Sequence, residues 1–167
     1  MFHIIFAIVC VLVAWKWGDR HNWKLYYPTI LFVISGSYIC DFIFFNKPLW
    51  LFESSLLGHT ISSMLIAFIV YPSLTIIYLP HFPKKVFNNM LFYISAWVLV
   101  ITAIEYISFL LGNFSHHYGW NIWWSLLFNI VWFPMVRIHH EKPILGIAMA
   151  VVVGISIMLI FNIPLPR

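Results

Sequence analysis

The sequence predicts an all-α protein, a polytopic membrane bundle of six transmembrane helices in a single domain covering residues 1–167. Three observations predict it. Hydrophobic residues make up 63% of the chain and charged residues 8%, with a mean hydropathy of +0.94. A water-soluble globule carries charge on about a quarter of its residues. The polar residues gather between six apolar runs, each near the length needed to cross a hydrocarbon core of about 30 Å. The Lys and Arg residues fall mostly on alternate connections between those runs, the pattern of a topology signal.

The first run, Phe2 to Trp17, is long enough to cross at the short end of the range. It lacks the basic front and small-residue cleavage site of a signal peptide, because only His3 precedes the apolar core and Lys16, Arg20 and Lys24 follow it. It is expected to be retained as helix one. The second run, Thr29 to Phe45, opens after Pro28, whose missing N–H suits a first helical turn, and stops at Asn46-Lys47-Pro48. Residues 49–58 are too apolar for a solvated loop and are expected in the headgroup zone.

The third run extends from about His59 to Leu79 with a kink expected at Pro72, and ends at Pro80-His81-Phe82-Pro83. The fourth covers about Met90 to Leu111, the fifth Asn121 to Val136, and the sixth Ile144 to Phe161. Connections after runs one, three and five hold Lys16, Arg20, Lys24, Lys84, Lys85, Arg137 and Lys142, against only Lys47 and Arg167 on the other side. Both termini are therefore predicted outside. These basic residues are scattered singly rather than gathered in a patch, which points away from nucleic acid as a partner despite the net charge of +4.

This topology sorts the polar residues by depth. Counting at ~1.5 Å per residue, Asp41 lies ~6 Å and Glu105 ~10 Å below the outer boundary. Thr102, Glu105, Ser108 and Gly112 share a face of helix four, and Asn121, Ser125 and Asn129 follow one another at i, i+4, i+8 on helix five. Ser37 lies one turn from Asp41, and His59 opens helix three. The candidate outward-facing pocket thus comprises Glu105, His59, His117, Asp41, Asn121, Ser125 and Asn129. An acid at such depth is expensive unless paired or reached by water, so Glu105 leads the set. The alternative is that Glu105 is protonated, or paired with a histidine, and only holds helices together.

His59, His116 and His117 with Glu105, Asp41 or Glu53 carry enough donors for a divalent metal. No His-Glu-x-x-His or Cys-x-x-Cys spacing is present, so no metal site is assigned and no motif names a cofactor. Of the adjacent His116 and His117, at most one is expected to point inward. His21, His81, His139 and His140 lie among aromatic and basic residues and are expected to anchor helix ends at the headgroups. Cys10 and Cys40 sit in apolar runs and behave as small hydrophobes. Gly146, Ala150 and Gly154 form a small-xxx-small stripe, expected to pack within the bundle or to receive a second copy or another membrane protein.

Trp17-Gly18-Asp19, Asn22-Trp23, Tyr26-Tyr27-Pro28-Thr29, Pro48-Leu49-Trp50, His59-Thr60, Leu79-Pro80-His81-Phe82-Pro83-Lys84, Ile104-Glu105-Tyr106, His117-Tyr118-Gly119-Trp120-Asn121 with Trp123-Trp124, and Phe133-Pro134 form a recognisable set. On these, the chain resembles, from about Trp15 to Pro143, a family of small uncharacterised six-helix integral membrane proteins of spore-forming Gram-positive bacteria. The resemblance implies a multi-pass protein of the bacterial cell membrane and carries over no functional residue. Three functions stay open: a binding or structural membrane protein with an outward polar pocket, a membrane-embedded enzyme acting on a lipid or isoprenoid with or without a metal, and a small transporter subunit. Few polar residues occupy the inner halves of the helices, which counts against the last.

Overall fold

The computed structural model describes residues 1–83 and 86–164. Lys84, Lys85 and Arg167, three of the nine basic residues in the orientation reading, lie outside the described residues. The described residues form six helices: α1 (Phe2–Trp17), α2 (Trp23–Ile43), α3 (Gly58–Tyr78), α4 (Phe87–Leu110), α5 (Ile122–Glu141) and α6 (Pro143–Ile160). Four of them, α2, α3, α4 and α6, are long and apolar enough to cross a membrane. Only 11% of the apolar windows of α4 and α6 is buried in the bundle, which leaves their Leu, Ile and Val side chains facing outward, as a lipid-bathed surface requires.

α1 lies along α3 and buries His3, Ala7, Cys10 and Ala14, one helical face whose small residues let the backbones approach. α2 begins at Trp23, so Pro28 lies inside it rather than opening it. Asp19 accounts for the earlier start. Its carboxylate accepts hydrogen bonds from the Asn22 amide at 3.0 Å and the Tyr26 hydroxyl at 2.8 Å, which fix the first turn and hold the Asp19 carboxyl below the usual carboxylate range.

α3 widens into a π-helical turn over Ile66–Val70, closed by the Tyr71 N–H donating to the Ile66 carbonyl. Pro72 causes it: proline has no N–H to give the carbonyl four residues back and its ring presses on that carbonyl, and a wider turn relieves both. The expected kink is thus absorbed as an extra residue, which turns Tyr71 toward the bundle interior.

α5 is the central helix. Packed on α4, α6 and α2, it buries Ser125, Asn129, Phe133, Met135, Val136 and His139, so it need not be apolar all round. His139, expected at the headgroups, is instead inside: its Nδ1 lies 3.1 Å from the Thr29 hydroxyl and its ring stacks on Phe32 at 4.0 Å. Gly146 makes this possible. A Cβ there would fall 2.5 Å from the His139 Cβ and 2.6 Å from its Cα, so only glycine fits the α5–α6 corner. The rest of the predicted stripe behaves differently, since nothing lies within 4 Å of the position a Gly154 Cβ would take. Lys47 reaches across to the end of α6, its Nζ donating to the Phe161 carbonyl at 2.6 Å, where a cation complements the helix dipole.

The departure from an all-helical chain is a two-stranded antiparallel ribbon of β1 (Trp50–Phe52) and β2 (Phe114–His116), with Trp50 opposite His116, Leu51 opposite Ser115 and Phe52 opposite Phe114. α4 is released into it by Gly112, at φ +69°, with Asn113 N–H bonded to the Ser108 carbonyl and Gly112 N–H to that of Phe109. The ribbon lies at the end of the bundle that carries the N-terminus and the close of α6.

Candidate functional site

A cavity of about 210 Å³ occupies the bundle axis, walled by α1, α2, α3, α4 and α5 and bounded at one end by the ribbon residues Trp50, Phe52 and Phe114. Along α3 its lining runs from Ile66 to Tyr78, roughly 18 Å at a rise of ~1.5 Å per residue. α1 packs on α3, and α4 on α5 and β2, and the cavity fills the space between the two pairs.

Its far end is closed by aromatic rings. Tyr78, 2% exposed, meets Phe82, Tyr93, Trp97 and Phe133 at centroid distances of 5.7, 5.5, 5.5 and 5.3 Å. Its hydroxyl donates to the Phe133 carbonyl at 3.0 Å, and the Tyr93 hydroxyl donates to the Tyr78 carbonyl at 2.9 Å. The body is apolar, with Val33, Leu74, Ile101, Phe128 and Val136 on its wall. Asn129 also lines it, but its amide is engaged with the Thr102 hydroxyl at 3.1 Å, and the Thr75 hydroxyl donates to the Tyr71 carbonyl at 2.7 Å.

The ionisable groups gather toward the ribbon. Asp41 accepts from the Ser63 hydroxyl, a buried group on α3. Glu105 is 3.0 Å from His116 Nε2, and His116 is held by a stacked Phe109 at 5.1 Å and the edge of Phe114 at 5.3 Å. Tyr71 and Ser37 line the same cavity as both acids. His3 is 2% exposed and Ser108 4% exposed; both line the cavity, and neither the two His3 ring nitrogens nor the Ser108 hydroxyl has a hydrogen-bond partner among the described residues. Among the described residues, no Lys or Arg lines the cavity.

Of the residues expected at a pocket, Glu105, Asp41, Ser125 and Asn129 stand in this wall, and His59, His117 and Asn121 do not. Each of the three has a local task. His59 accepts the Phe52 N–H on Nδ1 at 3.1 Å and lies parallel to the Phe52 ring, which props β1. Asn121 caps α5, its side-chain oxygen accepting from the N–H groups of Trp123 and Trp124. His117 lies on the opposite face of the ribbon from His116, 2.9 Å from the Ser115 hydroxyl, which donates to Glu53 at 2.8 Å. A hydroxyl has one proton and a carboxylate can only accept, so His117 is the donor to Ser115 and is not placed to act as its base. Ser125 accepts from the Trp120 indole at 2.8 Å, fixing the one tryptophan of that loop that is buried in the site.

The wall groups that residue spacing left out are His3 and Tyr71; Ser63 and His116 are not in the wall but hold its two acids, Ser63 on Asp41 and His116, rather than His117, on Glu105. His3 carried a signal, being the one histidine in the first apolar run. Among the described residues no three His, Cys, Asp or Glu side chains are grouped to hold a metal ion.

No family model, curated protein or solved structure matches this chain. Its function is read from the cavity alone.

Proposed function

We propose that the protein is a six-span protein of the bacterial cell membrane that binds an amphiphilic molecule in the central cavity, tail among α2, α3 and α5, head beneath the ribbon. The observation that carries this reading is the polarity of the cavity wall: Asp41, Glu105 and His3 lie toward one end, while the deeper polar groups are engaged with the protein and the far end is sealed by Tyr78. A long apolar space with a few polar groups at its mouth matches a molecule with a tail and a head. The aromatic seal offers no polar route onward, which favours binding over transport.

Glu105→Gln tests it. Glutamine keeps a hydrogen bond to His116 and removes the charge, so thermal stability in detergent should change by no more than about 1 kcal/mol, while the co-purifying amphiphile measured by mass spectrometry should fall about tenfold. An unchanged bound species would remove Glu105 from the site. A membrane-embedded enzyme is the second reading, favoured by the Glu105–His116 pair, in which a carboxylate orients an imidazole as acid–base catalysis requires. It predicts in addition that wild-type protein, and not Glu105→Gln, converts the bound lipid or isoprenoid to a product.

The six-span arrangement and membership of the six-helix family belong to the same proposal. α1, at 16 residues, runs ~24 Å and is supported along its length by α3, and α5 is sheltered by three neighbours. The excess of Lys and Arg in the connections after runs one, three and five of the sequence supports the reading that both termini and the ribbon face outside. Reporter fusions at the two termini should both respond as external; a cytoplasmic response from either would reverse the assignment.

A further inference from the structure

The polar end of the cavity has a chemical bias. Asp41 and Glu105 are carboxylates set within the bundle, and among the described residues neither has a Lys or Arg partner: Asp41 accepts from the Ser63 hydroxyl and Glu105 meets the His116 imidazole. The ring nitrogens of His3 and the hydroxyl of Ser108, both more than nine-tenths buried, face the same space unpartnered. An ionised carboxylate can only accept hydrogen bonds, a neutral imidazole presents one lone pair, and a hydroxyl presents two. The wall therefore offers more acceptors than donors, with two carboxylates and no Lys or Arg beside them among the described residues. The rings of Phe2, Phe52 and Phe114 border it, and the face of an aromatic ring also attracts cations.

We propose that the head group bound here is a primary ammonium carried on an apolar chain, with no phosphate beside it. An ammonium has three donors and no acceptor, the complement of this wall. A phosphate would meet two carboxylates and find no Lys or Arg among the described lining residues. This rests on the amphiphile-binding reading above and adds the identity of the head.

The test compares three amphiphiles with the same tail, decylamine, decanol and decyl phosphate, titrated into the whole chain in a neutral maltoside detergent while thermal unfolding is followed. A ligand that binds the folded state raises the midpoint according to its affinity. Decylamine should bind about tenfold or more tightly than decanol, since hydrogen bonds to charged groups are the stronger ones, and decyl phosphate should give no shift. The Asp41→Asn/Glu105→Gln double variant should lose the advantage of the amine over the alcohol. If that variant does not purify folded, Ser108→Ala, which removes an acceptor without touching a carboxylate, should reduce the same advantage severalfold. Equal shifts from all three heads, or a preference for decanol or decyl phosphate, would overturn the ammonium assignment and leave amphiphile binding standing. An amine advantage undiminished in the variants would overturn it as well. No shift from any of the three would remove the amphiphile-binding reading itself, and the ammonium with it.

Discussion

Gly146→Ala should lower the stability of the purified protein by about 1–3 kcal/mol, and Gly146→Leu should prevent folding, because the added carbon has no room. The contact is with the Cα, Cβ and backbone nitrogen of His139 rather than with a side-chain tip, so it cannot be relieved by a rotamer change. Relief would need α6 to move off α5, which would also pull His139 from its bond to Thr29 and its stack on Phe32. Gly154→Leu is the control. Open space surrounds that position, so thermal unfolding of the monomeric chain should be unchanged; a loss of stability confined to an oligomeric form would show that a second copy covers the α6 face.

Tyr78→Ala should cost about 3–5 kcal/mol, the range for removing a fully buried aromatic ring. The ring is the hub of the seal, touching Phe82, Tyr93, Trp97 and Phe133, and its removal would join the cavity to the opposite end of the bundle. Tyr78→Phe keeps the ring and loses only the bond to the Phe133 carbonyl, so it should cost about 1 kcal/mol. Thermal unfolding of the two variants side by side measures the difference. An alanine variant as stable as the phenylalanine one would mean that the aromatic cluster does not seal the cavity.

The six helices were legible because each carries an apolar run longer than a turn of chain can hide, and their order follows directly from the polar breaks. Their ends were less so. α2 starts five residues before Pro28 because Asp19, outside the apolar run, fixes its first turn, and α5 continues past Pro134 because its last turns are buried against α2 and α6. The ribbon was not legible at all, since Trp50-Leu51-Phe52 and Phe114-Ser115-His116 are three residues each and far apart in sequence.

That gap decided the histidines. In a strand, alternate side chains face opposite ways, so whether His116 or His117 meets Glu105 depends on a register that shifts every side chain when it slips by one residue. Asn121 shows a different limit. The i, i+4, i+8 spacing to Ser125 and Asn129 is real, but an asparagine at the first position before a helix serves the backbone, and the capping preference outweighed the face. The two acids were found because an ionisable residue within an apolar run is conspicuous wherever it points.

Native mass spectrometry of the wild type beside Leu74→Trp bears most directly on the cavity as a binding site. Leu74 lines the apolar body on α3, and a tryptophan there adds bulk where the tail would lie. The wild type should retain one amphiphile per chain on release from detergent, and Leu74→Trp should retain none while remaining folded. The same bound species on a folded Leu74→Trp protein would contradict the proposal, because the molecule would then lie outside the cavity.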